Sequence, residues 1–189
     1  MMARHPAGAL VAAVALMLGA CGDAGDTDRQ TAGQKLAEAV SPAAQAATRP
    51  AQAAQAFASK VAASDAYELA AAKLAQQWGH SSKVKAFAAL MIQDHAVVAG
   101  ELNGALKRTR GVLADPRLSS AQEQALARLR DAGERFDNAY ARREIATHEQ
   151  ELAALRDYAD NGMDPALSEF AADAVNMAAD HVKLAAKLP

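Results

Sequence analysis

The chain has 189 residues, is half hydrophobic but only 4% aromatic, and carries a formal net charge of -2. That length accommodates one domain with appendages, and an alanine-rich, aromatic-poor composition favours helices packed through small side chains. The absence of a basic excess removes the electrostatic footprint of a nucleic-acid binder.

The first twenty residues form a separate unit: Arg4 and His5 precede an apolar run from Ala7 to Leu18. This is the layout of a secretory signal, and the run falls short of the roughly 20 apolar residues that span a bilayer. Leu18-Gly19-Ala20-Cys21 resembles the bacterial lipobox, in which the cysteine is acylated and the chain is cut before it. Cys21 is the single cysteine, so an internal disulfide is excluded. The expectation is a periplasmic protein whose partner is membrane lipid, held through acylated Cys21. Gly22, by resemblance to lipoprotein sorting signals, directs the expectation to the outer membrane.

Residues 21–51 read as a flexible linker, because Gly, Asp, Thr, Gln, Ala and Pro with few large apolar groups cannot build a core, and Pro42 and Pro50 interrupt helices. A disordered tether is therefore expected before a domain over 52–189. Its first helix is predicted over Gln52–Trp78, with Phe57, Val61, Glu68, Ala75 and Trp78 on one stripe and Gly79 as its stop. The second opens at Ser81 and runs to about Arg110, with Val84, Phe87, Met91, His95, Val98 and Leu102 inward. A capping box at Ser119 or Ser120 opens a third segment to Asp160, with a break expected near Gly133. Tyr140, Ile145, His148, Leu152 and Leu155 form its stripe; Asp164-Pro165 then opens a last helix with Phe170, Ala174, Met177, His181 and Leu184 inward. Short turns join the first and the last pair, which predicts two antiparallel hairpins closing into an all-α, antiparallel four-helix bundle.

Each predicted helix carries one inward polar group able to bind a transition metal or move a proton: Glu68, His95, His148 and His181. With about 1.5 Å per residue, and both short turns assumed at one end, they lie roughly 17, 21, 18 and 26 Å down, and Glu144 roughly 24 Å down. A shared layer is expected, with Glu144 as a second carboxylate. Asp94, Asp137, Tyr140 and Asp180 stand close enough in sequence to orient the histidines. Met91 and Met177 fall at core spacing and read as packing; Tyr67, Tyr158 and Trp78 read as core or boundary aromatics. Lys107, Arg108 and Arg110 complement a helix dipole or meet phospholipid. The polar set supports two readings of equal standing: a divalent transition-metal site, or a structural Glu-His-Tyr network that only specifies packing. No residue is assigned a catalytic role, and the protein partner is not readable.

Several short motifs recur in order: Phe57 and Glu68; Val84-Lys85-x-Phe87; Met91-x-x-Asp94-His95; Phe136-Asp137-x-x-Tyr140 with His148; Ala171 with His181. Together they resemble the exported bacterial family called domain of unknown function 4142, over about 54–187. The resemblance implies a ferritin-like four-helix fold and a polar centre of Glu68, Asp94, His95, Asp137, Tyr140, His148 and His181. It implies no activity. Ferritin-like di-iron proteins use Glu-x-x-His pairs on two helices, whereas Ile92, Ile145 and Ala178 stand where those glutamates would precede His95, His148 and His181. These departures argue against an oxygen-activating di-iron enzyme and for a histidine-richer single-metal site, or none.

Overall fold

The computed structural model describes residues 42–189, with side chains from 48 onward; the signal, Cys21 and most of the linker lie outside the described residues. The described part forms one compact unit. It is all-helical: α1 Pro42–Trp78, α2 Ser82–Arg108, α3 Ser120–Arg130, a 3-10 turn Gly133–Arg135, α4 Phe136–Asn161 and α5 Pro165–Ala185. No described helix is long and apolar enough to cross a membrane.

Local chemistry sets most of these boundaries. Ser81 accepts a hydrogen bond from the Val84 amide, Asp164 does the same for Leu167, and Ser119 with Gln122 makes the reciprocal capping box. Gly133 takes φ of +54° between α3 and α4, a backbone state that costs other residues more. α1 begins ten residues before the expected start at Gln52 and runs through Pro50. Pro42 occupies the first helical position, where its missing N–H costs nothing. Pro50 forfeits one internal hydrogen bond, which the surrounding alanine-rich sequence outweighs by helix propensity.

α1 pairs with α2 and α4 with α5, while α3 lies against α1. Two side-chain contacts fix the direction of the pairs. Asp137, at the start of α4, accepts hydrogen bonds from the amides of His80 and Ser81 in the α1–α2 turn, at 2.9 and 2.7 Å. Thr109, at the end of α2, donates to Asp164 at the α4–α5 turn, 2.9 Å away. The two short turns therefore lie at opposite ends, which corrects the single-end assumption behind the expected depths. α2 and α4 run the same way, and the chain crosses the full length of the unit between them through α3. Measured from its own turn, Glu68 is about 15 Å along α1, His95 about 20 Å along α2, His148 about 20 Å from the end of α4 and His181 about 24 Å along α5. All four remain near mid-height because counting from either end of a helix pair reaches the middle.

The apolar interior has two parts. One gathers Phe57, Val61, Val98, Leu102, Leu155, Leu167 and Phe170 near the α4–α5 turn. The other gathers Tyr67, Val84, Phe87, Met91, Leu129, Phe136 and Tyr140 near the α1–α2 turn. Apart from Asp137 at the α1–α2 turn, the buried acidic and histidine residues fall between the two: Asp65 and Glu68 on α1, His95 on α2, Glu144, His148 and Glu151 on α4, His181 on α5. Trp78 and Leu184 are exposed rather than inward, Trp78 at the last residue of α1 and Leu184 on the rim of an apolar groove with Phe87 and Leu90.

Candidate metal centre

Sequence spacing brings the polar layer together by helical periodicity. Glu144, His148 and Glu151 are spaced four and three apart on α4 and so share its inner face; Asp65 and Glu68 do so on α1. The rings of His95, His148 and His181 meet with centroids 5.7, 5.7 and 4.9 Å apart. Potential ligand atoms of His95, His148 and His181 lie within 4.8 Å of one another, and so do those of Glu68, Glu144 and His148.

Each imidazole has one nitrogen committed to an acceptor. His95 Nδ1 meets Asp65 Oδ1 at 2.7 Å, His148 Nδ1 meets the Glu144 carbonyl at 2.9 Å, and His181 Nε2 meets Asp94 Oδ2 at 2.8 Å. A carbonyl or carboxylate oxygen only accepts, so these three nitrogens carry the protons. The neutral rings then present lone pairs at His95 Nε2, His148 Nε2 and His181 Nδ1. These remaining nitrogens are the ones turned inward: His148 Nε2 lies 3.1 Å from His181 Nδ1, and His95 Nε2 has no hydrogen-bond partner within the protein. Acceptors that tie one imidazole nitrogen fix the tautomer and raise the basicity of the other, the arrangement found behind metal-bound histidines.

Two carboxylates complete the interior. Glu68 and Glu144 are fully buried and no neighbouring donor makes an ordinary hydrogen bond to their four oxygens, but the two carboxyls are close enough for a proton on one to meet the other. Burial, reinforced by the charge of Glu144, pushes the Glu68 carboxyl well above its usual range, and burial lifts Glu144 to about 7. The Tyr140 hydroxyl, also buried and unpartnered, is pushed up by burial and by Glu144. Among the histidines, burial drives His148 down to about 3, and it lowers His181 against the opposing pull of Asp94. For His95 burial again disfavours the cation, but the Asp65 hydrogen bond and neighbouring carboxylates together outweigh it and raise the group. An uncompensated buried carboxylate costs several kcal/mol, which is why both glutamates are shifted toward the neutral, protonated carboxyl.

The structure thus brings together Glu68, Glu144, His95, His148 and His181, with Asp94 on His181. Two expected orienting residues lie elsewhere. Asp137 is spent on the α1–α2 turn amides, a full helix turn beyond Tyr140. Asp180 is exposed and pairs with Lys183 at 2.9 Å, since the residue preceding an inward His181 points away from the core. Sequence reading missed Asp65 and Glu151. Their signal was available as the three-residue step from Glu68 and from His148. Tyr67 is also deeper than a boundary residue: it is fully buried, with its hydroxyl accepting from Arg143 Nε at 3.0 Å.

The family model described as domain of unknown function (DUF4142) matches residues 39–188. The chain belongs to this family. The match takes in every helix of the DUF4142 unit and all the residues of the polar layer. No curated protein and no solved structure matched the chain.

Proposed function

We propose that this DUF4142 domain binds one divalent transition-metal ion between its helices, as the carried domain of an envelope lipoprotein. The donors are His95 Nε2, His148 Nε2 and His181 Nδ1, with an oxygen from Glu68 or Glu144. A set of three imidazoles and carboxylate suits zinc, iron, manganese or copper rather than calcium or magnesium. The observation that carries the reading is the pattern of hydrogen bonds: one nitrogen of each of the three rings is occupied, while potential ligand atoms of the three histidines lie within 4.8 Å of one another and Glu68 and Glu144 group with His148. Binding, not turnover, is the role assigned.

Two antiparallel hairpins joined by one long crossover support a ferritin-like four-helix arrangement, in which core metal sites are built from facing helices. The lipobox at Leu18–Cys21 supports export, acylation of Cys21 and attachment at the periplasmic face of the outer membrane, since two or more acyl chains hold a protein durably to a bilayer.

The rival reading is a network that only specifies helix packing. The Asp65–His95 and Asp94–His181 pairs favour it, because each is a complete ion pair when the ring is charged. The rival leaves Glu68 and Glu144 with no ordinary donor but a proton shared between them, which weighs against it. Titration calorimetry on chain purified without chelator or metal-affinity tag separates the two. The metal reading predicts saturable uptake of one equivalent, abolished when His95, His148 and His181 are all replaced by Ala. A folded triple variant that takes up metal like the parent overturns it.

A further inference from the structure

A cavity of about 130 Å³ opens on the outer side of the α1–α4 seam, beside the polar layer. Its lining includes Lys60, Ser64, Arg143, Thr147, Gln150 and Glu151. Engineered cavities near this size hold a molecule of about six heavy atoms. Arg143 is set in place by its Nε bond to Tyr67 and by the stacking of its guanidinium over that ring, 5.3 Å from the centroid. Lys60 supplies a second positive charge from the exposed side of α1. Set against these cations is the carboxylate of Glu151, nine-tenths buried and part of the cavity lining.

That combination asks for a particular ligand. Two cations and the hydroxyls of Ser64 and Thr147 donate, so the occupant must be rich in acceptor oxygens. The Glu151 carboxylate lines the cavity and accepts, so the occupant must also offer a donor. We propose that this cavity binds a small oxyanion that keeps one O–H, of the hydrogen phosphate or short hydroxycarboxylate class. Its acceptor oxygens meet Lys60 and Arg143 and its O–H meets Glu151. The charge of Glu151 also acts on His95, so the ligand sits one carboxylate away from the imidazole cluster. The site stands on its own lining and does not depend on a metal being bound.

The test titrates hydrogen phosphate, sulfate, glycolate and acetate into the full chain while following amide shifts on α1 and α4 by NMR, before and after chelator treatment, with folding checked by circular dichroism. Phosphate and glycolate are expected to saturate, and their counterparts without the O–H, sulfate and acetate, to bind at least about fivefold more weakly, the worth of one hydrogen bond. Phosphate is expected to weaken by at least about fivefold in Lys60→Gln, whose exposed position spares the fold. Glu151→Ala should erase the preference for the ligand with the O–H. No saturable shift, equal binding of phosphate and sulfate, or unchanged binding in Lys60→Gln overturns the proposal. Saturation in metal-depleted chain with no metal uptake would leave this site standing while removing the metal centre, and the converse result would do the reverse.

Discussion

His148 Nε2 and His181 Nδ1 face each other at 3.1 Å while the opposite nitrogens of the two rings are bound to the Glu144 carbonyl and to Asp94. With both rings neutral, two lone pairs point at one another, and only a cation between them relieves the repulsion. A proton does so if His181 is charged, but burial lowers His181 and drives His148 to about 3. A metal ion does so without that cost. This pair is therefore where metal binding and metal-free stability oppose each other.

Glu68→Gln should separate the two. Burial already holds the Glu68 carboxyl in its neutral form, so the metal-free melting temperature changes little near neutral pH and rises only where alkaline pH would ionise the native residue; removing a donor oxygen weakens metal uptake, by about tenfold or more. Thermal melts with and without metal, at neutral and alkaline pH, check both.

Asp65→Asn and Asp94→Asn act through the histidines they hold. Each is expected to lower metal affinity by about 10–100-fold while leaving one-equivalent stoichiometry, measured by competition with a chromogenic chelator. Asp137→Ala provides the contrast. It strips an acceptor from two amides of the α1–α2 turn, destabilising the fold by about 1–3 kcal/mol, with metal affinity unchanged.

The pH dependence of the metal-free chain follows from Glu68 and Glu144 on one side and His148 on the other. Glu144 moves from 4.5 up to about 7 and Glu68 is raised well above 4.5, so the folded state holds protons that the unfolded state has released, and stability falls as pH rises above about 4.5. His148 moves from 6.5 down to about 3, so the unfolded state takes up a proton first, and stability falls as pH drops from about 6.5 to about 3. Denaturant titrations across this range should show a maximum on the acid side, near pH 4 to 5. Added metal should remove the loss toward neutral pH, because binding strengthens as the ligands deprotonate.

Cys21→Ser should shift the chain from the detergent phase to the aqueous phase in a cell-fractionation experiment, if acylation of that thiol is what holds it to the membrane.

Much of the fold was legible because local chemistry wrote it. Ser81, Ser119 and Asp164 cap their helices, and the break at Gly133 sits where an interior glycine weakens a forty-residue segment. The extent of α1 was not legible: Pro50 argues locally for a stop, and only summed alanine propensity carries the helix through it. Nor was the relative direction of the hairpins, which depends on Asp137 and Thr109 reaching across more than fifty residues. In the site, Glu68, His95, His148 and His181 stood out as lone polar groups on apolar stripes. Glu151 and Asp65 did not, because an acidic residue one turn from another polar one reads as the edge of a solvated face until the opposing helix is in place.

Crystals of the chain grown with a transition metal, measured across that metal's absorption edge, address the central claim most directly. A single anomalous peak within bonding distance of His95 Nε2, His148 Nε2 and His181 Nδ1 is the expected result. Ordered crystals in which the three imidazoles contact one another or water, with the anomalous signal absent or confined to the surface, would contradict it.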